Sequence, residues 1–345
     1  MKAAIIEEVG KLSIKDIQGP VPGDYDVLCE TQYGALCTGT DTHLLHYHPP
    51  FCNWIKLPAI LGHESIGKVI QLGSKVRHFK VGDMITRVGH PGVDGIDSAW
   101  GGFSEYTLGK DWQAMKDDGL DEKEWSSHTV NQVLPEGISP AAGTMFITWR
   151  ETLSYMTRIG PSTESSVMII GSGSNGLAMA NHAANFAAKK IVLLGSSNRI
   201  NESKRVGSTA FIDYKAKDAH EQALALSPSG YDIVIDVIGR PATTDLALSC
   251  VADGGTLGIY GMDDSVSIKI KPELARGAYT IYGGGYDEGE AHQDVCDLVK
   301  AGKLAASIWI DENNAFSLDD IHKAFDASEA RSQVKPLIKI STVND

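Results

Sequence analysis

The stretch SSVMIIGSGSNGLAMANHAANFAAK, residues 165–189, decides the fold. A short apolar run, VMII, meets three glycines, Gly171, Gly173 and Gly176, and an alanine-rich segment of helical length follows. A G-x-G-x-x-G turn between a strand and a helix has a mechanical reading. The first glycine makes the tight turn, the second lets the backbone approach a pyrophosphate, and the third lets the helix pack on the strand. The first N–H groups of the helix then face an anion. Gly171, Gly173 and Gly176 are therefore candidate cofactor-binding residues for a dinucleotide.

The next strand indicates which dinucleotide. A carboxylate about 20 residues beyond the fingerprint ordinarily accepts from the ribose 2′-hydroxyl. In KIVLLGSSNR (190–199) that place holds Gly195, followed by Ser196, Ser197 and Arg199, with Lys204 and Arg205 a helical turn further on. Small hydroxyls with a guanidinium suit a 2′-phosphate, so NADP is favoured over NAD. Further apolar strands follow at YDIVIDVIG (231–239) and GGTLGIYG (254–261), with TTDLALSCVA (243–252) between them. This alternation predicts an α/β, doubly wound parallel sheet with right-handed crossovers.

Upstream the rhythm differs. Residues 1–110 carry short β-branched runs broken by Gly and Pro, such as DVLCETQY (26–33), GKVIQLG (67–73) and DMITRV (83–88), which predict a β-rich, partly barrel-like unit. Residues 111–132 are polar and acidic and read as a surface insertion, and a helix is expected over 139–160. The expected division is 1–155 for the first domain, with 305–345 returning to it through VKPLIKI (334–340), and 156–304 for the nucleotide domain.

With 31 basic against 44 acidic residues the net charge is −13, which repels phosphate backbones and anionic membranes. A small-molecule substrate is the expected partner, with neither nucleic acid nor membrane. The start of the chain has no export signature, and five widely spaced cysteines suit reduced thiols in the cytoplasm.

The loop GALCTGTDTHLLHYH (34–48) gathers metal-ligand chemistry, and GHESIGKVIQLGSKV (62–76) supplies a histidine beside a glutamate. Together with VGD (81–83), GGFSEY (101–106), LPEGIS (134–139), the glycine fingerprint, Tyr214 in FIDYK (211–215) and DVIG (236–239), these stretches resemble the zinc-type medium-chain dehydrogenase/reductase family along nearly the whole chain. The resemblance implies a GroES-like catalytic domain joined to a Rossmann domain. It also implies a hydride transfer between NADP or NAD and a secondary alcohol or ketone, or a sugar or polyol. Ser196, Ser197, Arg199 and Tyr214 match the cofactor pattern of NADP-preferring members.

For the metal, the family uses a cysteine, the histidine of GHE and a third acidic or thiol ligand. Counted forward the cysteine position is Cys37, and counted backward it is Thr38; a thiolate is the far better zinc ligand, which favours Cys37. His63 matches the histidine. The third position falls on Ile147, which cannot ligate, so either Glu64 with water or Glu151 completes the shell. One catalytic zinc is expected and no structural zinc, since VGHPGVDGIDSAWGGFSEY (88–106) contains no cysteine. Thr40 and His43 are candidates for proton relay beside Glu64, although Thr40 can equally cap the helix after it. Trp54, Trp100 and Glu105 are candidate substrate contacts.

Two other functions fit parts of the pattern: a zinc-free NADPH-dependent quinone or enone reductase, and a non-catalytic nucleotide-binding protein. A homodimer or homotetramer is expected, paired through 254–261 and 279–285.

Overall fold

The computed structural model describes residues 1–261 and 268–341. Two compact units emerge. The first comprises Met1–Ile147, Glu288–Cys296 and the C-terminal stretch from Trp309, and the second comprises Thr148–Asp287 and Asp297–Ile308. The division falls inside the helix Met145–Ile159 rather than at 155/156. Glu288–Cys296 joins the first unit because Glu288 is ion-paired with Arg87 and the His292 ring bonds the Val133 carbonyl at 3.0 Å. The end of the expected returning segment, 342–345, lies outside the described residues.

In the first unit, β1 (Lys2–Glu8) and β2 (Asp26–Ala35) belong to two different sheets. β2 alternates buried and half-buried side chains, as a strand covered on one face should. Its C-terminal end feeds α1 (Thr38–Leu45), and it pairs antiparallel with β3 (Ser65–Leu72) and β4 (Tyr106–Lys110). Leu36, Leu44, Phe51, Leu61, Phe103 and Phe325 belong to the core beneath α1. The 111–132 segment forms two short helices, Trp112–Asp117 and Glu122–Trp125, with the Trp112 and Trp125 rings stacked at 6.2 Å.

The second unit carries a six-stranded parallel sheet. Its strands are β5 (Ser166–Ile170), β6 (Lys190–Gly195), β7 (Ala210–Asp213), β8 (Tyr231–Asp236), β9 (Val251–Ile259) and β10 (Tyr279–Tyr282), in the order β7-β6-β5-β8-β9-β10. β5 is apolar without alternation because both of its faces are covered. α2 (Ser174–Asn185) follows it directly. The last strand, β11 (Leu337–Lys339), pairs antiparallel with β2 and so returns to the first unit. Among the described residues no helix is long and apolar enough to cross a membrane.

Candidate functional site

Three donors converge in the first unit. Cys37 stands at the N-cap of α1, and His63 and Glu64 immediately precede β3. One ligand atom from each of Cys37, His63 and Glu64 lies within 4.8 Å of the other two. Gly62 makes this approach possible: its φ of +108° is open to glycine, and a Cβ there would sit 2.5 Å from Phe103. Thr38 points elsewhere, its hydroxyl 2.7 Å from that of Ser328.

Asp41 organises this cluster. It is fully buried; Oδ2 accepts the Cys37 N–H at 2.8 Å, and Oδ1 lies 3.4 Å from Nδ1 of His63. Nε2 of His63 turns the other way, 3.7 Å from Oε1 of Glu64. Burial works against a charged imidazole, but Asp41 and then Cys37 outweigh it and push the ring up to about 10. A soft sulfur, an imidazole and a carboxylate are the donors zinc takes, and a carboxylate behind the histidine is the usual orienting partner. The residues present therefore fit zinc.

Ile147 is fully buried and supplies no donor. Glu151 accepts from the Tyr260 hydroxyl at 3.4 Å, and among the described residues the group able to hold a metal is Cys37, His63 and Glu64. Glu64 is also ion-paired with Lys335, which the sequence reading passed over, as it did the role of Asp41. Both depend on contacts with residues elsewhere in the first unit, and no local spacing announces them.

Thr40 lies in the first turn of α1 and not at its cap, so the capping role falls away. His43 follows three residues later on the same helical face, and its Nδ1 bonds the Gly39 carbonyl at 2.7 Å. A carbonyl only accepts, so Nδ1 carries the hydrogen and Nε2 is the acceptor of the neutral ring. Trp100 has φ +64°, and its ring centroid is 5.2 Å from that of His63 and 5.3 Å from that of Trp54. The Glu105 carboxylate accepts the Lys2 N–H at 2.7 Å. His90 is also structural, buried with Nε2 on the Gln18 carbonyl and Nδ1 accepting from Gly92.

In the second unit Gly171 has φ +118°, and a Cβ on Gly176 would sit 1.8 Å from the Gly171 carbonyl. Strand and helix can approach this closely only without side chains there. Gly173 caps α2, and its Cβ direction is open, which is the space a phosphate needs. At the end of β6 the Ser172 hydroxyl accepts the Ser196 N–H at 2.9 Å, and a Cβ on Gly195 would meet that hydroxyl at 2.1 Å. The close packing of Ser172 thus keeps a carboxylate out of this position. Ser197 is exposed, and the Tyr214 N–H donates to the Gly195 carbonyl at 2.9 Å, with Lys215 5.8 Å above the Tyr214 ring. Arg199 is more buried than its expected role suggests, and its guanidinium lies 4.0 Å from Glu202. Arg205 is engaged by Ser307.

The chain is similar to known proteins along most of its length. The alcohol dehydrogenase GroES-like domain matches residues 23–118, and the zinc-binding dehydrogenase domain matches residues 172–300. The L-threonine 3-dehydrogenase of Enterobacter sp. (strain 638) is 22% identical over 344 residues, covering 94% of each chain. A zinc-binding dehydrogenase of Sinorhizobium meliloti 1021, solved with NADP bound, is 26% identical with a TM-score of 0.79 over 98% of each chain. The 2R,3R-butanediol dehydrogenase of Bacillus subtilis is 23% identical with a TM-score of 0.79, covering 98% of this chain and 99% of its own. With a GroES-like domain around the Cys37 cluster and a Rossmann-type domain carrying the glycine fingerprint, the chain belongs to the zinc-type medium-chain dehydrogenase/reductase family.

Proposed function

We propose that the protein is a zinc-assisted, NADP-favouring dehydrogenase acting on a secondary alcohol, polyol or sugar. The observation that carries the reading is the convergence of Cys37, His63 and Glu64 within 4.8 Å around a buried carboxylate. When bound at these residues, zinc supplies Lewis-acid polarisation of the substrate oxygen while the nicotinamide exchanges the hydride. Asp41 fixes the imidazole so that Nε2 of His63 faces the donor set. The Thr40 hydroxyl accepts the substrate hydroxyl's proton as it passes its own to Nε2 of His43, since Nδ1 is already committed to Gly39.

Substrates with several hydroxyls suit a site that combines the half-exposed Trp54 and Trp100 rings with the polar groups of 40–48. The threonine and butanediol dehydrogenases among its relatives act on hydroxyl-bearing carbons, which supports the same class. The open Gly173 face and the hydroxyls after β6 support a dinucleotide with a 2′-phosphate. Free cysteines, three of them buried, suit the reducing cytoplasm. The test is oxidation of a panel of secondary alcohols, polyols and sugars with each cofactor. Chelator-sensitive NADP reduction is expected. Reduction of quinones by NADPH without metal, or cofactor binding without turnover, would favour the rival readings.

A further inference from the structure

Arg199 closes the short turn Ser197–Arg199 after β6 and leads into the helix Ile200–Arg205, with its N–H on the Ser196 carbonyl at 2.8 Å. The residue is 9% exposed, and Nη1 lies 4.0 Å from Oε1 of Glu202. That distance is the outer limit of an ion pair. The other carboxylate oxygen, Oε2, is buried with no hydrogen-bond partner among the described residues, as is the hydroxyl of the neighbouring Ser203. A carboxylate buried beside one distant cation adds little to stability. It does set a negative charge against the guanidinium. Arg205, the second arginine of 195–205, is engaged by Ser307, so Arg199 is the guanidinium that an anion at the end of β6 would draw on.

We propose that Glu202 is a specificity-determining residue that competes with the 2′-phosphate of the cofactor for Arg199 and so limits the preference for NADP over NAD. The inference rests on the reading of the loop after β6 as a 2′-phosphate site. An arginine binds phosphate best through two parallel N–H groups, and that geometry takes the guanidinium away from Glu202. The carboxylate left behind then repels the phosphate that displaced it. A ribose 2′-hydroxyl makes neither demand, so the charge of Glu202 acts on one cofactor and spares the other.

The test is calorimetric binding of 2′,5′-ADP and of 5′-AMP to the full-length protein, two probes that differ by the 2′-phosphate alone. Wild type is expected to favour 2′,5′-ADP. Glu202→Gln, which keeps the shape and removes the charge, should bind 2′,5′-ADP about tenfold tighter and 5′-AMP as before. Glu202→Ala should move in the same direction and serves if the glutamine variant folds poorly. On an Arg199→Ala background most of the gain should disappear, because the two residues act through one contact. Unchanged 2′,5′-ADP affinity in both Glu202 variants overturns the proposal, as does an equal gain for 5′-AMP or a gain that persists in full with Arg199→Ala. If Arg199→Ala loses the preference for 2′,5′-ADP while the Glu202 variants keep it unaltered, this inference fails and the 2′-phosphate reading stands. If wild type binds both probes equally and Arg199→Ala changes neither, the 2′-phosphate reading itself has failed and this inference with it.

Discussion

Asp41 serves His63 and Cys37 at once: one carboxylate oxygen stands 3.4 Å from Nδ1 of the histidine and the other accepts the cysteine N–H at 2.8 Å. Two candidate metal donors from different segments are thus held by one buried anion. Asp41→Asn keeps the shape but removes the charge that orients the ring, so zinc should bind about 10–100-fold more weakly. Chelator competition measures this, and an unchanged affinity would remove Asp41 from the account.

The cofactor preference should respond to a charge at Ser197. This side chain is exposed after β6, so Ser197→Asp places a carboxylate where a 2′-phosphate is expected without disturbing the core. NADPH affinity should fall about tenfold or more while NADH affinity changes little. Titration of both cofactors by fluorescence checks it; equal losses would point to a general structural effect. The same acid at Gly195 would collide with Ser172, so that substitution cannot serve as the probe.

How much of this was legible in the sequence depends on how local each feature is. Gly171, Gly173 and Gly176 work through six consecutive positions, and their spacing alone predicts the turn. The choice between Cys37 and Thr38 turns on where one residue is inserted, which counting cannot decide; in the structure the Thr38 hydroxyl is taken by Ser328, 290 residues away. Lys335 has no motif, because its role depends on β11 returning to β2. Arg199 is the opposite case, a residue whose surroundings local spacing does not reveal. A basic residue in a hydroxyl-rich loop invites a phosphate, but Glu202 one turn later also draws its guanidinium.

His182 should make the nucleotide-binding unit acid-sensitive. The ring is fully buried with Nε2 3.0 Å from the Thr152 hydroxyl, and burial pushes it down to about 3. Unfolded, it titrates near 6.5. Between about 6.5 and 3 the unfolded chain binds a proton that the native state refuses, so stability present above this window is lost as pH falls. From pH 6.5 to 5 this amounts to about 2 kcal/mol. Urea midpoints should fall less over that range in His182→Gln than in wild type. Parallel pH profiles would show that the ring is not the cause.

Assembly should depend on β10. This strand ends the parallel sheet, and Ile281 is 43% exposed on it. An exposed apolar edge is a pairing surface, so we expect a dimer or tetramer that Ile281→Lys weakens. Sedimentation at micromolar concentration checks this; a wild-type monomer would contradict it.

The central claim is that Cys37, with His63 and Glu64, holds a catalytic zinc. Its most direct measurement is zinc content of Cys37→Ser beside wild type, with NADPH affinity and NADP-dependent alcohol oxidation assayed on the same samples. The account predicts one zinc per wild-type chain, and loss of both metal and oxidation in Cys37→Ser with NADPH affinity intact. Full zinc and full activity in Cys37→Ser, or a wild type that never takes up zinc, would contradict it.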